Sequence, residues 1–249
     1  MEKKAWYIGC TSDEIAERTI LIGDPGRVPR LSKYLDDVVL LPVKRGLATA
    51  TGTYQGVRIT MAAFGMGAPI ASIVLHELSE LGSCIFLRIG TTMCLPPAEL
   101  GDLVVAEEAL RYDGTSYAYA PKDFVATANE ELVTNLKTAA SELDLVYRAG
   151  RFASYDGFYR DMFALDDATA TRVQDNFAYL SKRGVIAIDM ETSALLTVGK
   201  VLGCKVASLC VASVNMQTQR KLDSDKLIER ERQLMATALN ALSRMSVPE

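Results

Sequence analysis

An arginine set among apolar residues, in Phe86-Leu87-Arg88-Ile89-Gly90-Thr91-Thr92, constrains this chain more than any other stretch. The run reads as a buried strand that ends in a tight turn at Gly90. A guanidinium inside an apolar strand is costly unless an anion or a carboxylate meets it. The turn adds a glycine, for close backbone approach, and two hydroxyls. Arginine, backbone N–H groups and a threonine hydroxyl together suit a phosphate-type oxyanion. A second stretch, Asp189-Met190-Glu191, ends another expected strand with two carboxylates, which suit a diol. An oxyanion site and a diol site on two strand ends point to chemistry on a ribose.

The 249 residues lie at the upper edge of what one hydrophobic core supports, so a single domain over 1–249 is expected. A formal net charge of −4 argues against a general nucleic-acid binder, which carries a basic field. The five cysteines, Cys10, Cys84, Cys94, Cys204 and Cys210, are odd in number, form no CxxC pair and fall mostly in apolar runs. They read as reduced, buried thiols of a cytoplasmic protein. No long apolar stretch follows the first residues, and no window approaches a membrane span, so neither a leader nor a membrane partner is expected.

Along the chain, strand and helix patterns alternate without repeats, low complexity or a linker. The expected fold is α/β, with a mixed central sheet flanked by helices. Residues 19–22 form a β-branched strand running into Gly23-Asp24-Pro25-Gly26-Arg27-Val28, with a helix from near Pro29. Such a turn holds an anion when its N–H groups open a helix, but alone it is only a turn. Residues 38–53 and 57–64 read as strands, with Arg45 inside the first as a solvated edge residue. Gly65-Met66-Gly67-Ala68-Pro69 leads into a helix through Leu81, with Ile70, Ile73, Val74, Leu78 and Leu81 as its core face. The only histidine, His76, lies off that stripe, and no GxSxG motif is present, which removes His-dependent nucleophile chemistry. Residues 111–124 read as an irregular excursion. Thr127-x-x-Glu130 reads as a capping box, and residues 154–159 as an aromatic loop at a strand end. A strand over 185–189, a helix over 191–202, a strand over 205–214 and a helix to about Arg244 complete the chain. The Gly23–Arg27 turn, Arg88–Thr92, Phe158 and Asp189–Glu191 all follow strands, where open α/β sheets bind ligands.

At these residues the sequence resembles the nucleoside phosphorylases of the purine and uridine type, and most closely the uridine phosphorylase branch. The resemblance runs from Trp6 to the final helix and is carried by the Gly23–Val28 turn, by Phe86–Thr92 and by Asp189-Met190-Glu191-Thr192-Ser193-Ala194. It implies phosphorolysis of a nucleoside to free base and ribose 1-phosphate, with inorganic phosphate as co-substrate. It implies no cofactor, no metal and no covalent intermediate. Gly23, Arg27, Arg88 and Thr91 then match phosphate-binding residues, and Arg45 matches an arginine lent by a neighbouring subunit. Thr91, Met190 and Glu191 fall at the ribose, with Tyr7 where a neighbour's histidine is expected. Thr92, Met93, Phe158, Met162 and Met216 fall at the base. Arg88, Glu191 and Arg27 are the expected catalytic set, in a dimer-based hexamer with shared sites.

The departures concern the base. The glutamine and arginine that read uracil in the resembled branch align with Met162 and Ala164, a further arginine with Met216, and a glycine with Met93. Gly46 replaces a glutamate linked to a monovalent cation in some relatives. A pocket of Met93, Phe158, Met162 and Met216 is more apolar than one for uracil and suits a different or modified base; the other reading of these methionines is core filler. A purine nucleoside phosphorylase or a nucleosidase is the nearest alternative, although Asn215 stands where those relatives place an aspartate. A non-catalytic nucleoside binder of the same fold is the second.

Overall fold

In the computed structural model, which describes residues 3–247, strands and helices alternate as β1 Arg18–Ile22, α1 Arg27–Leu31, β2 Asp36–Leu40, β3 Thr49–Tyr54, β4 Val57–Ala63, α2 Ala68–Glu80, β5 Ile85–Cys94, β6 Leu103–Tyr112, α3 Gly114–Tyr119, β7 Ala126–Thr127, α4 Glu130–Glu142, β8 Tyr147–Tyr155, α5 Asp167–Ser181, β9 Val185–Asp189, α6 Thr192–Val201, β10 Lys205–Asn215 and α7 Ser224–Ser243. The strands form one mixed sheet in the order β10-β6-β8-β9-β5-β1-β4-β3-β2. Strand β10 pairs with β6 along one edge and with β5 along the other, so β5, β9, β8, β6 and β10 close into a ring. Strands β1, β4, β3 and β2 extend the sheet from β5. This is the α/β fold with a mixed sheet and flanking helices that the alternation of patterns implies. Among the described residues no helix is long and apolar enough to cross a membrane.

Strand β5 is the hub. It pairs in parallel with β1 through Ile85–Ile89, with β10 along its whole length, and in antiparallel with β9 at Met93 and Cys94. Such a strand is covered on both faces, which is why its apolar residues run on instead of alternating. The turn expected at Gly90 does not form, because β5 continues to Cys94. Gly90 serves a different purpose. A Cβ there would lie 2.9 Å from Nη1 of Arg88, so the missing side chain makes room for the guanidinium.

Several local expectations shift for identifiable reasons. Arg45 is not in a strand, since β3 begins only at Thr49. It sits in a turn, at φ +51, closed by Lys44 and Leu47. Helix α2 buries Ala71, Val74, Leu75 and Leu78 and leaves Ile73 exposed, so its inward stripe runs through 71, 74, 75 and 78 at helical spacing. His76 is half-buried on this helix, 6.3 Å from the Tyr119 ring. Helix α4 is capped by Asn129, whose side chain accepts from the Leu132 N–H, and not by Thr127, which is already in β7. The excursion over 111–124 holds a short helix organised by Arg111, which donates to the carbonyls of Ser116, Ala120, Pro121 and Phe124. A buried guanidinium is thereby satisfied without a carboxylate.

Two apolar clusters result. The larger joins the sheet to α2, α4, α6 and α7. The smaller gathers Met93, Tyr155, Met162, Ile188 and Met216 beneath α5 and the wide helical turn Phe158–Met162. Helix α6 crosses β10 at Gly199, where a Cβ would meet Cγ2 of Val206 at 2.0 Å. Helix propensity alone favours alanine there by about 1 kcal/mol, but that overlap reverses the sign. Gly199→Ala is expected to destabilise the protein by about 1–3 kcal/mol in denaturant melts. Adding Val206→Ala should recover much of the loss if the overlap is the cause.

Candidate active site

Arg88, 5% exposed on β5, anchors the site. Its Nη2 donates to Glu191 Oε2 at 2.6 Å and lies 3.3 Å from Asp189 Oδ2, while Nη1 donates to the Cys210 sulfur at 2.7 Å. Burial alone disfavours the guanidinium charge, but Cys210, Asp189 and Glu191 outweigh it and hold the Arg88 pKa above its usual range. Burial also pushes the Cys210 thiol up, to about 11, against the pull of Arg88.

The two carboxylates at the end of β9 have separate tasks. Asp189 was expected to suit a diol beside Glu191; instead its oxygens are taken locally. Its Oδ1 accepts from Ser154 Oγ at 2.6 Å, from the Thr192 N–H at 3.1 Å and from the Glu191 N–H at 3.3 Å, and its Oδ2 accepts from Thr192 Oγ1. Helix α6 begins at Thr192, and the Glu191 side chain makes no capping bond. Asp189 satisfies those first N–H groups, which leaves Glu191 free to turn inward. Glu191 accepts from the Gly67 N–H through Oε1 and from Arg88 through Oε2. A carboxylate offers about four acceptor positions, so about two remain for donors from outside the chain.

The glycine turns close the other side. The Gly65 N–H donates to the Gly23 carbonyl at 2.9 Å, which ties the turn after β4 to the turn after β1. A Cβ on Gly23 would lie 3.2 Å from the Gly65 carbonyl oxygen, so the approach depends on glycine. Gly65 touches Gly23, and Gly67, two residues on in the same turn, touches Glu191, which in turn meets Arg88. Arg27 opens α1 four residues after Gly23, but its Nη2 is held by Glu231 of α7 at 2.6 Å, with Arg30 on the second oxygen at 2.7 Å. The Nε groups of both Arg27 and Arg88 are buried without a hydrogen-bond partner among the described residues. An unmatched buried donor costs about 1–3 kcal/mol, so both arginines retain capacity for an acceptor.

The hydroxyl of Thr92, expected near sugar and base, donates to the Ile188 carbonyl at 2.6 Å and is used within the sheet. Thr91, on the opposite face of β5, is half-buried. Met93, Met162 and Met216, all 2% exposed or less, pack in one cluster, with Phe158 and Met190 against it. Phe158 stacks on Phe163 at 5.9 Å and meets Tyr159 edge-on. Tyr7 and Arg45 lie elsewhere. Arg45 covers the Tyr7 ring at 4.6 Å, on the surface, and neither hydrogen-bonds to Arg88, Arg27 or Glu191. Exposed Trp6 and Met66 flank Tyr7 and Gly67 in sequence.

Three groups that the residues alone do not single out complete the site: Gly67, Cys210 and Glu231. Glu231 reads as part of a solvated Glu-Arg-Glu-Arg face. Its one signal is helical spacing with the buried Leu234, Met235 and Ala238. Among the described residues no cluster of His, Cys, Asp and Glu is placed to hold a metal. Clefts of about 390 and 310 Å³ lie away from the site, lined by Asp13, Asp37 and Arg58 and by Asn129, Lys200 and Cys204 respectively. Neither hollow includes Arg88 or Glu191 in its lining.

Known proteins share this fold and much of this sequence. Residues 17–246 match the family model described as the phosphorylase superfamily. Over 95% of its length the chain is 31% identical to a uridine phosphorylase of Thermococcus kodakarensis, covering 85% of that protein. It is 30% identical to a guanosine phosphorylase of Halorubrum lacusprofundi, over 85% of each. The crystal structure of uridine phosphorylase from Vibrio fischeri superposes with a TM-score of 0.84 at 29% identity, over 98% of both chains.

Burial raises the thiols of Cys10, Cys94, Cys204 and Cys210 to about 11 from an ordinary value near 9. A group whose pKa is raised on folding stabilises fully below its unfolded value and loses that contribution as pH climbs through the folded one. The melting temperature should therefore fall between about pH 9 and pH 11. Replacing Cys10, Cys94 and Cys210 with alanine should flatten that slope; an unchanged slope would assign it to other groups.

Proposed function

The chain belongs to the phosphorylase superfamily and is a nucleoside phosphorylase, and we propose that it transfers ribose from a pyrimidine nucleoside to inorganic phosphate. The observation that carries this reading is the 2.6 Å contact between Arg88 and Glu191. It sets an oxyanion donor directly beside a diol acceptor. Glu191 fixes the sugar through its hydroxyls, while Arg88, Arg27, Thr91 and the Gly23 turn hold phosphate under the anomeric carbon. Phosphate attacks that carbon as the base departs with the bonding electrons. Positive charge develops on the ribose in an oxocarbenium-like transition state, so a phosphate fixed beneath it lowers the barrier by electrostatics and orientation.

The pyrimidine assignment rests on Asn215. Its Oδ1 accepts from the N–H and the hydroxyl of Thr218, so the position offers no acid to protonate a purine nitrogen. Met93, Phe158, Met162 and Met216 enclose the base by apolar contact, with Met190 beside the ribose.

A second copy completes the site. Three guanidiniums, of Arg27, Arg30 and Arg88, face three carboxylates, of Glu231, Asp189 and Glu191. A phosphate dianion in a neutral surrounding gains little, and Arg45 is an exposed cation that a neighbour could add. Its exposed stack with Tyr7, beside exposed Trp6, suits insertion into a neighbour's site.

Base release from a nucleoside panel, followed with and without phosphate, tests the reaction. Release that depends on phosphate is expected; release without it would make the protein a nucleosidase. Arg88→Ala should reduce kcat on the order of 10²-fold or more, checked against a folding measurement because it strands a buried carboxylate. Shared sites are tested by co-expressing Arg45→Ala and Arg88→Ala chains. Each variant alone should be nearly inactive, and activity should return only in the mixture, where one chain lends Arg45 to the other's intact Arg88.

A further inference from the structure

Two segments carry the methionines at the base end, residues 158–164 with Met162 and residues 215–221 with Met216. Their polar side chains fall into two groups. Tyr159, Arg160, Gln217, Thr218, Arg220 and Lys221 are exposed. Asp161, Asn215 and Gln219 are not, and each is engaged within the chain. Asp161 Oδ1 accepts two N–H groups from Arg172, and Asn215 Oδ1 closes the turn with Thr218.

Gln219 joins the two segments. Its Nε2 donates to the Met216 carbonyl at 2.6 Å and, at a longer 3.4 Å, to the Met162 carbonyl. Its Oε1 accepts from the Ala164 N–H at 3.1 Å. It does this from a left-handed backbone, φ +57, which a residue with a Cβ adopts only where its surroundings hold it. The carboxamide is therefore directed at the protein, and the cluster that holds Met93, with Met190 packed against it, is built of thioethers, aromatic rings and aliphatic side chains.

We propose that Gln219 is the positioning residue that shapes the base end of this site, and that this end selects its nucleoside by size and stacking, not by hydrogen bonds to the base edge. The inference rests on the nucleoside phosphorylase reading of the same site. Its physical content is a ceiling on discrimination. A site that hydrogen-bonds a substrate group rejects the analogue lacking it by about 10⁴–10⁵, whereas an apolar wall separates near-isosteres by only about 10–200-fold. Methionines adapt to the added volume of a methyl group at little cost.

Uridine and 3-methyluridine, in which a methyl replaces the N3–H donor on the base edge, give the test. The expected ratio of their kcat/KM values is within about 200-fold, and a larger one overturns the proposal. Gln219→Ala should raise KM for both nucleosides by a similar factor, about tenfold for the loss of one such tie, and leave KM for phosphate unchanged. A phosphate KM that rises equally, or a nucleoside KM that stays put, overturns the role of Gln219. Equilibrium binding of both nucleosides to the wild-type protein separates this inference from the reaction. If neither is cleaved but both bind alike, phosphorolysis fails and the base-end proposal stands. If uridine binds and 3-methyluridine does not, the base-end proposal alone fails, and if neither binds, both fail.

Discussion

A guanidinium and a carboxylate brought 2.6 Å apart in the interior, Arg88 against Glu191, lose far more hydration than a surface pair, and much of the surrounding chain exists to offset that loss. Gly90 omits a side chain so that the guanidinium fits. Cys210 supplies a soft acceptor to one nitrogen, and Gly67 a backbone donor to the free carboxylate oxygen. Asp189, fixed by Ser154 and Thr192, takes over the capping of α6 and adds a second negative charge at 3.3 Å. Removing one partner from such a pair costs about 3–5 kcal/mol. The Arg88–Glu191 contact is thus a condition for the fold at the end of β9.

The same electrostatics explain why an arginine-rich site is not, within one chain, a strongly basic one. Arg27 and Arg30 share Glu231, and Arg88 is matched by two carboxylates. Neutralised arginines are held in fixed directions with N–H groups to spare, which favours orientation over raw attraction. Net attraction for an anion is not what this set supplies. Arg45, by contrast, is exposed, makes no ion pair among the described residues and is braced on the Tyr7 ring.

How far the residues alone reveal this depends on whether a signal is local. The buried arginine of β5 and the strand-ending Asp189–Glu191 pair are legible because charge in an apolar run admits few explanations. The methionine cluster is legible as a set, and the structure does gather Met93, Met162 and Met216. The tight turn at Gly90 is misread because glycine serves there for close approach and not for curvature. Asp189 and Glu191 look interchangeable until helix capping assigns them different work. Glu231 is invisible because its partners Arg27 and Arg30 are two hundred residues away and its neighbours are charged. Arg45 and Thr127 are misplaced because turn formation and the competing cap at Asn129 turn on single residues.

The closed ring of β5, β9, β8, β6 and β10 sets the mechanical character of the molecule. Strand β10 is hydrogen-bonded along both edges, and β5 is held by three neighbours, so neither can slide without breaking ladders on two sides. Arg88, Cys210 and the start of the 215–221 segment are carried on that stiff frame and keep their spacing. Accommodation of a bulky occupant therefore falls to parts hung outside the frame: the 156–166 connection, the glycine turn around Met66, and whatever surface packs against Tyr7.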